Sequence, residues 1–280
     1  MDSIQASIII PTLNKLSRLR LVLKSLESQI TKQIEVIIVF DGCDPSVIEE
    51  FHQLNFSFTP IEVICPTNVG RSSARNRGIE VAHGKIVIFL DDDRITCPNF
   101  VQAHLNAHKH RHVAVLGYRP DVYLTDEQIN DYFTHYEDCI DICSKNSYTV
   151  SSHKYLSKPF PWLTFFTGNV SVRRDDLLKV GCFDENFKGW GHEDIDLGIR
   201  LHNKRIPVIY ALEATNYHMM HASNFSDNRK SSLRNIKYMK KKYIRNPSVF
   251  LYYTILGTKH RFLGIYVNRH LTNAFKNDNK

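Results

Sequence analysis

The sequence contains no CxxC pair, no long apolar run and no basic residue ahead of its first apolar segment. Its six cysteines are scattered, apart from Cys139 and Cys143, which one face of a helix would bring together. Scattered cysteines are typical of thiols in a reducing compartment, rather than of a disulfide framework or a zinc site. The first apolar run ends at Pro11, and no window approaches the roughly 18 apolar residues of a membrane span. We therefore expect a cytoplasmic protein without an export signal.

Acidic residues are almost absent from the C-terminal part of the chain. From Arg229 onward there are thirteen Lys or Arg residues and one acid, Asp278, while the whole chain carries +7. Polybasic segments attract anionic partners. We interpret this segment as an extension that contacts the inner face of an anionic membrane, with a solvated helix packed on the domain as the alternative. Nucleic acid is not the expected partner.

Apolar segments alternate with helical patterns over the first hundred residues. Short apolar runs typical of buried strands occupy 6–10, 35–40, 61–64 and 85–90, and helical spacing covers 16–29, 45–54 and 72–83. This alternation favours an α/β fold with a mostly parallel sheet covered on both faces. Ligands bind such sheets beyond the carboxyl ends of the strands. Those ends carry Pro11-Thr12, Asp41-Gly42, Pro66-Thr67-Asn68 and Asp91-Asp92-Asp93.

Beyond residue 115 the pattern is less regular. The stretch 119–161 has weak periodicity and many Tyr, Asp, Ser and Lys residues, as in an insertion over a sheet. Residues 227–245 predict an amphipathic basic helix whose apolar arc holds Leu233, Ile236, Met239, Tyr243 and Ile244. We therefore divide the chain into two halves of one α/β domain, 1–115 and 116–226, and a basic helical extension, 227–280.

Asp91, Asp92 and Asp93 follow an apolar strand without a spacer, so the backbone delivers three carboxylates to the carboxyl edge of the sheet. Carboxylate oxygens are ligands for Mg²⁺ or Mn²⁺, and such an ion neutralises a diphosphate. A solvated acidic turn is the alternative, which the missing spacer disfavours. The triplet therefore predicts a site for a metal ion and a diphosphate.

A glycine and two arginines mark a second candidate site. Gly70 permits close approach of the backbone just before a helix N-terminus, which attracts anions. Arg71 and Arg75 are four residues apart and share one helix face, and the guanidinium is suited to phosphate. A surface helix with ordinary arginines is the alternative, but a position between two strands favours phosphate binding.

Three crowded carboxylates lie in the segment 189–201, GWGHEDIDLGIRL. A helical projection from Asp194 places that residue within the apolar arc, while Glu193 and Asp196 point elsewhere. Asp196 is then expected to be solvated and to complement the helix dipole. Asp194 would face the interior or a cleft and stay ionised, as a general base requires. The alternative, that all three acids only cap the helix, is left open by the spacing.

His218 and His221 are three residues apart, which is close enough to share a metal ion on a turn or helix. The chain has fourteen histidines, so a chance pair is the favoured interpretation of this spacing. The spacing by itself therefore assigns no metal to them.

These features occur in the order found in GT-A fold glycosyltransferases of family 2, which the chain resembles from residue 6 to about 222. IIIPTLNK resembles the opening strand of that family, and FDGCD resembles its Asp-Asp-Gly-Ser turn, with Phe40 in place of the first aspartate. NVGRSSARNRG resembles its Asn-x-Gly-x-x-x-Ala-Arg-Asn-x-Gly segment, and FLDDD resembles its DxD motif. Residues 167–201 are similar to the galactosyltransferase-type module that ends in Trp-Gly-x-Glu-Asp. The implied fold is a Rossmann-like mixed sheet, mostly parallel and flanked by helices.

The resemblance implies a donor site for a UDP-sugar. Thr12 and Asp41 would contact uridine, with Asp41 at the uracil. The remaining positions that it assigns to the donor are Pro11, Asn14, Asn68, Gly70, Arg71, Arg75, Asp91, Asp92, Gly168, Asn169 and Trp190. Trp190 would form a wall of the sugar pocket on a hinge of two glycines, with core packing as its alternative.

The resemblance also implies the metal and catalytic residues. Asp93 would be the direct ligand of Mn²⁺ or Mg²⁺, joined by His221 and His218, which reverses the interpretation of the histidine pair. Glu193 and Asp194 would lie at the acceptor, with Asp194 as the base.

The implied function is metal-dependent, inverting transfer from a UDP-sugar to a hydroxyl of a glycan, glycolipid or other acceptor. The half 1–115 would then bind the nucleotide sugar, and the half 116–226 would bind the acceptor. A nucleotidyltransferase on a similar sheet and a non-catalytic glycan-binding protein are the alternatives. Retaining transfer is a rival within the same class.

Overall fold

The four apolar runs of the first hundred residues form neighbouring parallel strands. The structure, a computed structural model, describes residues 3–148, 160–221 and 225–263. These parallel strands follow the order β3–β2–β1–β4 across the sheet, as β1 (Ala6–Thr12), β2 (Ile34–Asp41), β3 (Ile61–Cys65) and β4 (Ile86–Leu90). Each begins and ends within about two residues of its predicted run, which is the usual uncertainty of such boundaries.

Antiparallel pairing extends the sheet beyond β4. The strand β8 (Asn169–Arg173) pairs with β4 and with β6 (Ala114–Tyr118), and β6 runs parallel to the long strand β9 (Val208–Met219). The second half of β9 pairs with two short strands, β5 (Arg94–Thr96) and β7 (Asp121–Val122). The prediction of a mixed, mostly parallel sheet flanked by helices is confirmed.

Helices connect the strands and cover both faces of the sheet. In chain order they are α1 (Leu16–Leu26), α2 (Pro45–His52), α3 (Arg71–Val81), α4 (Phe100–His108), α5 (Asp126–Asp131), α6 (Tyr136–Asn146), α7 (Arg174–Val180) and α8 (Glu193–Asn203). Successive residues of a strand point to opposite faces. Ile8 and Ile10 of β1 accordingly pack into one hydrophobic cluster with α1, and Ile9 packs into another with α3. This two-sided burial explains why the strands read as continuous apolar runs.

The stretch predicted as a weakly periodic insertion holds two helices, α5 and α6. Thr125 caps α5 with a capping box, in which its side chain accepts from the backbone N–H of Gln128. Cys139 and Cys143 of α6 are fully buried, and their sulfurs lie 3.9 Å apart. All six cysteines are free thiols, as the spacing predicted. Residues 149–159 of this stretch lie outside the described residues.

A second compact unit comprises Asn186–His192 and Ser223–Lys280, while Met1–Glu185 and Glu193–Ala222 form the first. It contains α9 (Phe225–Lys242) and α10 (Pro247–Leu263). Ile236 and Met239 are buried as the apolar arc predicted, but Ile244 is 67% exposed. That prediction was wrong because α9 ends at Lys242, so the helical projection does not extend to Ile244. Within the described ranges, no helix combines the length and apolar character needed to cross a membrane.

Candidate active site

The pairing between β5 and β9 brings two histidines to the turn formed by Asp91, Asp92 and Asp93, called the aspartate turn below. The antiparallel register sets Arg94 opposite His218, and the backbone N–H of Met219 donates to the carbonyl oxygen of Asp93 at 2.9 Å. His221 lies two residues beyond the end of β9 and borders the same turn. Backbone pairing thus joins residues that are more than a hundred positions apart.

Asp93, His218 and His221 form a cluster whose ligand atoms all lie within 4.8 Å of one another. Nε2 of His221 lies 3.0 Å from Oδ2 of Asp93, and Nε2 of His218 lies 3.8 Å from Oδ1. Adjacent ligands of an octahedral ion with bonds of about 2.1 Å lie about 3 Å apart, so the cluster fits a divalent cation. Imidazole nitrogen favours a transition metal, so this mixed donor set fits Mn²⁺ better than Mg²⁺.

A second carboxylate, that of Asp121, contacts His218 of this cluster. Nδ1 of His218 lies 2.8 Å from Oδ1 of Asp121, which leaves Nε2 directed at Asp93. Metal-binding histidines commonly use the other ring nitrogen in this way, because the carboxylate fixes the tautomer and the ring orientation. Asp121 therefore orients His218, although it lies in the stretch that was predicted as an insertion.

Lys15 places a cation in the same cluster. Its Nζ lies 3.0 Å from Oδ2 of Asp93, 3.4 Å from Oδ1 of Asp92 and 3.2 Å from Nε2 of His221. Burial opposes ionisation of Asp93, but the hydrogen bond with His221 and the charge of Lys15 outweigh it and hold the pKa of Asp93 below its usual range. Asp93 is therefore the ionised carboxylate of the cluster.

Asp92 is held by strand β1 rather than by the histidines. The hydroxyl of Thr12 donates to its Oδ2 at 2.8 Å, and both residues are buried. Burial raises the pKa of Asp92 to about 6, although Lys15 acts in the opposite direction. Thr12 therefore orients Asp92, and the predicted contact between Thr12 and uridine stays a prediction.

Asp41 fixes the loop before α3. Its Oδ1 accepts from the N–H of Val69 at 2.6 Å, and its Oδ2 accepts from the N–H of Gly70 at 3.1 Å. Gly70 has a φ of 90°, a conformation that L side chains avoid, and it leads directly into the helix. Asp41 is buried and accepts both of these backbone hydrogen bonds, and its contact with uracil stays a prediction. Asn68 is tied to the same point by a 3.3 Å bond from Nδ2 to the carbonyl of Asp41.

Arg75 connects the aspartate turn with the start of α8. Its Nη2 donates to Oδ1 of Asp91 at 3.0 Å, and its Nη1 donates to Oε1 of Glu193 at 3.3 Å. Burial acts to lower the pKa of Arg75, but Asp91 and Glu193 outweigh it and raise that pKa. The side chains of Arg75 and Glu193 are 4% and 6% exposed, so their pair is an interior one, while the side chain of Asp91 is 32% exposed. Arg71, by contrast, is exposed at the first position of α3.

Glu193 and Asp194 begin α8. Oε2 of Glu193 is buried without a hydrogen-bond partner in the described structure, while Oε1 is held by Arg75. Oδ1 of Asp194 accepts from the N–H of Ile195 at 2.7 Å. Burial raises the pKa of Asp194 to about 7, and the charge of Glu193 adds to this effect. The expectation that the helix N-terminus keeps Asp194 ionised is therefore wrong near neutral pH, because burial and the charge of Glu193 outweigh the hydrogen bond from Ile195 and raise the pKa.

Asp196 is not solvated, so that prediction is also wrong. It is fully buried, and Nε of Arg200 donates to its Oδ2 at 2.8 Å. Arg200 also donates to the carbonyl oxygen of Val180 at 2.6 Å, which joins α8 to the end of α7. The projection treated the polar arc of α8 as exposed, whereas α7 covers it.

Gly168 brings the end of β8 close to the aspartate turn. The β4–β8 register pairs Leu90 with Asn169, and a Cβ on Gly168 would lie 2.7 Å from Oδ2 of Asp91. The side chain of Asn169 is fully buried, where Nδ2 donates to the carbonyls of Tyr118 and Ala214 and Oδ1 lies 2.9 Å from Nε2 of His104. Because the side chain of Asn169 is already bonded, only Gly168 and backbone atoms could approach a donor sugar at this position.

Two arginines that no motif assigned to the site, Arg94 and Arg119, also lie near it. Arg94 is buried, with Nε 3.8 Å from Oδ2 of Asp91 and Nη1 3.4 Å from Oδ1 of Asn216. Arg119 lies 4.9 Å from the ring centroid of Phe166 and donates to the carbonyl of Phe166 at 3.3 Å. Burial, with Arg94 nearby, lowers the pKa of Arg119 to about 9. Positive charge at this edge is therefore denser than the sequence motifs predicted.

The remaining predicted residues lie at the rim or outside the first unit. Asn14 adopts a φ of 53°, and its side chain bonds with Asp44 in both directions at 2.9 Å. Pro11 is partly exposed within β1. Trp190 belongs to the second unit and is 43% exposed, so its predicted contact with the sugar stays a prediction.

Sequence reasoning missed Lys15, Arg119 and Asp121. A signal existed for Lys15, because it follows the end of β1, whose carboxyl edge already carried the candidate residues. Arg119 and Asp121 lie in the stretch with weak periodicity, where no motif marked them.

Comparison with family models covers most of the chain. The model of glycosyl transferase family 2 matches residues 7–181, which is more than half of the 280 residues. The model described as the N-terminal domain of galactosyltransferase matches residues 149–223. The two matches overlap over residues 149–181 and together span residues 7–223.

Curated relatives carry glycosyltransferase names. The chain is 28% identical over 291 residues to the uncharacterized glycosyltransferase YfnE of Bacillus subtilis (strain 168), covering 88% of this chain and 73% of that protein. It is 28% identical over 264 residues to the validoxylamine A glucosyltransferase of Streptomyces hygroscopicus subsp. jinggangensis (strain 5008), covering 87% of this chain and 62% of the relative. The chain thus spans only part of the length of each relative.

Solved structures share the fold. TarS 1–349 of S. aureus, in complex with UDP-GlcNAc, matches with a TM-score of 0.59 at 17% identity, over 82% of this chain and 64% of TarS 1–349. The mannosyltransferase PcManGT of Pyrobaculum calidifontis, in complex with GDP-Man and Mn²⁺, matches with a TM-score of 0.59 at 16% identity, over 86% and 64% of the two chains. The fold is therefore GT-A, as the motifs implied. Together with the family match over residues 7–181, this means that the chain belongs to glycosyl transferase family 2.

Proposed function

We propose that this chain is an inverting, metal-dependent glycosyltransferase that moves a hexosyl or N-acetylhexosaminyl group from a UDP-sugar to an acceptor hydroxyl. The proposal rests on two sets of side chains that lie at one edge of the sheet. The cluster of Asp93, His218 and His221 lies beside the network in which Arg75 joins Asp91 to Glu193. A metal-ligand set beside a second pair of carboxylates suits transfer from a diphosphate to a hydroxyl.

The metal site is proposed from its donors. Asp93, His221 and His218 would hold Mn²⁺, with Asp121 orienting His218. When bound, the ion would neutralise the diphosphate and stabilise the negative charge of the departing UDP. The ligand set supports Mn²⁺ over Mg²⁺ because two of the three donors are imidazole nitrogens.

Asp194 is proposed as the general base. It would accept the proton of the acceptor hydroxyl as that oxygen bonds to the anomeric carbon, while the bond from that carbon to the diphosphate oxygen breaks and its electron pair leaves with UDP. A pKa of about 7 suits this step, because a general base works best when its pKa lies near the operating pH. Attack from the face opposite to the diphosphate inverts the anomeric configuration.

The neighbouring residues position these groups. Arg75 restrains Asp91 and Glu193, so both carboxylates keep fixed places relative to Asp194. Oε2 of Glu193 is buried and has no hydrogen-bond partner in the described structure, so it is available to accept from a sugar hydroxyl. The absence of a side chain at Gly168 leaves Asp91 and Arg94 room to approach β8. Fixed charges of this kind need no reorganisation when the reaction occurs.

Contact of the basic extension with an anionic membrane surface is part of the same proposal. The exposed cations Lys230, Arg234, Lys237 and Lys241 recur at helical spacing and form one face of α9. Such a face attracts anionic lipids with about 1 kcal/mol per residue near the surface. Reversing Lys237 and Lys241 to Glu should abolish sedimentation with phosphatidylserine vesicles. Failure of the intact chain to sediment would end this part of the proposal.

A screen for nucleotide release tests the function. The intact chain is incubated with UDP-Glc, UDP-Gal, UDP-GlcNAc, UDP-GalNAc or GDP-Man and a pool of saccharide acceptors, with Mn²⁺ or with EDTA. The proposal expects UDP release from one UDP-sugar, loss of release in EDTA, and an inverted anomeric configuration of the product by NMR. A parallel incubation with UTP and sugar 1-phosphates would identify a nucleotidyltransferase by release of pyrophosphate, and glycan binding without any turnover would identify a binding protein. Retained configuration would contradict the inverting mechanism.

A further inference from the structure

The ammonium group of Lys15 occupies the metal-ligand cluster itself. Its Nζ lies within 3.0–3.4 Å of Oδ2 of Asp93, Oδ1 of Asp92 and Nε2 of His221. A ligand atom of the cluster, Oδ2 of Asp93, is thus shared between the lysine and His221. The mechanism proposed above gives Lys15 no role, so its position needs a separate explanation.

Charge balance supplies that explanation. Asp92 and Asp93 are adjacent in sequence and each is 6% exposed, so two neighbouring carboxylates are buried with little water to screen them. Burying a charge is costly unless an opposite charge is paired with it. Lys15 provides that opposite charge, and Thr12 adds one hydrogen bond to Asp92. The protein therefore carries its own cation at this point.

Lys15 is also placed so that it can leave. Its side chain is 34% exposed, whereas those of Asp92 and Asp93 are 8% exposed. A lysine ammonium is a compact charge on a flexible four-carbon stem, so the head can rotate into solvent without moving the backbone. A divalent ion and an ammonium would repel one another strongly at such short separation. The two cations therefore compete for the same carboxylates.

We propose that Lys15 is the resident cation of the metal site: it neutralises Asp92 and Asp93 in the metal-free protein, and an incoming divalent ion displaces it. This inference rests on the proposed metal site. Its consequence is that Lys15 weakens the intrinsic affinity for the metal while it stabilises the metal-free fold. Lys15 thus sets the concentration of metal that is needed to fill the site.

The test is a titration of Mn²⁺ followed by the EPR signal of the free ion, with the intact chain and no nucleotide. Lys15→Met should bind Mn²⁺ at least about tenfold more tightly than the wild type, because the competing charge is gone. Lys15→Gln, which is polar and of similar length, should behave in the same way and serves if the Met variant does not fold. Lys15→Arg keeps the charge and should stay near the wild-type affinity.

Lys24→Met is the matched control, because Lys24 lies on α1, the helix that begins directly after Lys15, and pairs with Glu27 at 2.6 Å. It should leave the affinity for Mn²⁺ unchanged. Melting curves give an independent readout: Lys15→Met should melt lower than the wild type in EDTA and gain more from added Mn²⁺. If the wild type binds Mn²⁺ and Lys15→Met binds it no more tightly, the role of Lys15 is overturned. If neither binds Mn²⁺, the proposed metal site fails, and the role of Lys15 fails with it.

Discussion

Arg75 and Glu193 form a buried ion pair, with Nη1 of the guanidinium 3.3 Å from Oε1 of the carboxylate. The pair joins α3 to the first residue of α8 across 118 positions of sequence. The other arm of the same guanidinium holds Asp91. One side chain thus links Asp91, a proposed donor-site residue, to Glu193, a proposed acceptor residue.

Replacing Arg75 with Ala should therefore destabilise the protein. The loss leaves Asp91 and Glu193 without their partner, and breaking a buried ion pair by removing one member costs about 3–5 kcal/mol. Denaturant unfolding measures this directly. Arg77→Ala is the control, since Arg77 is two residues away and forms an exposed pair with Glu80 that is worth about 0–1 kcal/mol. Equal unfolding midpoints for the two variants would contradict the network.

The proposed metal ligands give a second prediction. Asp93→Asn and His221→Ala should each lose most of the affinity for Mn²⁺, because each removes a donor atom. Asp121→Asn should lower that affinity about 10–100-fold, since the residue acts through His218. His110→Ala is the control, because His110 is exposed in the turn just after α4. Isothermal titration with Mn²⁺ measures all four, and an Asp121→Asn variant that binds like the wild type would show that His218 needs no support.

The ionised carboxylate of Asp194 should lower the free energy of unfolding at neutral and basic pH. Its pKa is raised from 3.8 to about 7, so the folded state holds its proton more tightly than the unfolded state does. Stability therefore falls as pH rises from about 4 to about 7, and the full penalty persists above about 7. Asp194→Asn removes the penalty, which we expect to be on the order of 1–3 kcal/mol after allowance for the partial exposure of Asp194.

Melting curves check this sign. Asp194→Asn should melt above the wild type at about pH 8 and show little difference at about pH 4. Asp175→Asn is the matched control, because Asp175 is exposed in the first turn of α7. A lower melting temperature for Asp194→Asn at about pH 8 would mean that the carboxylate stabilises the fold instead.

The pH dependence of the reaction follows from the same group. A general base must be deprotonated, so kcat/KM should fall as pH drops below about 7 in the wild type. This profile reports the free enzyme, and initial rates at low donor concentration give it. A flat profile between about pH 8 and about pH 6 would separate Asp194 from the reaction.

Much of this fold was predictable from sequence because the strands of its sheet are buried on both faces. Residues such as Ile8, Ile9 and Ile10 then form an uninterrupted apolar run, and the helices between strands show clear spacing. The expectation that Asp91, Asp41 and Gly70 lie at one edge of the sheet followed from the rule that ligands bind beyond the carboxyl ends of parallel strands.

The other features of the candidate site depended on contacts between residues far apart in the sequence, which the pattern of neighbouring residues does not show. The neighbourhood of His218 and Asp93 is set by the β5–β9 register, and β5 has only three residues. Asp196 was misjudged because a helical projection shows direction but not which element covers that direction. Lys15 was missed because its partner Asp93 is 78 positions away.

The most direct test of the account is the transfer activity of Asp194→Asn, measured with the UDP-sugar that the release screen identifies. We expect loss of transfer by at least about a hundredfold, because the general base is removed. UDP and Mn²⁺ should still bind with wild-type affinity, and Asp175→Asn should retain full activity. Transfer by Asp194→Asn at a rate close to the wild type would contradict the assignment of Asp194 as the base.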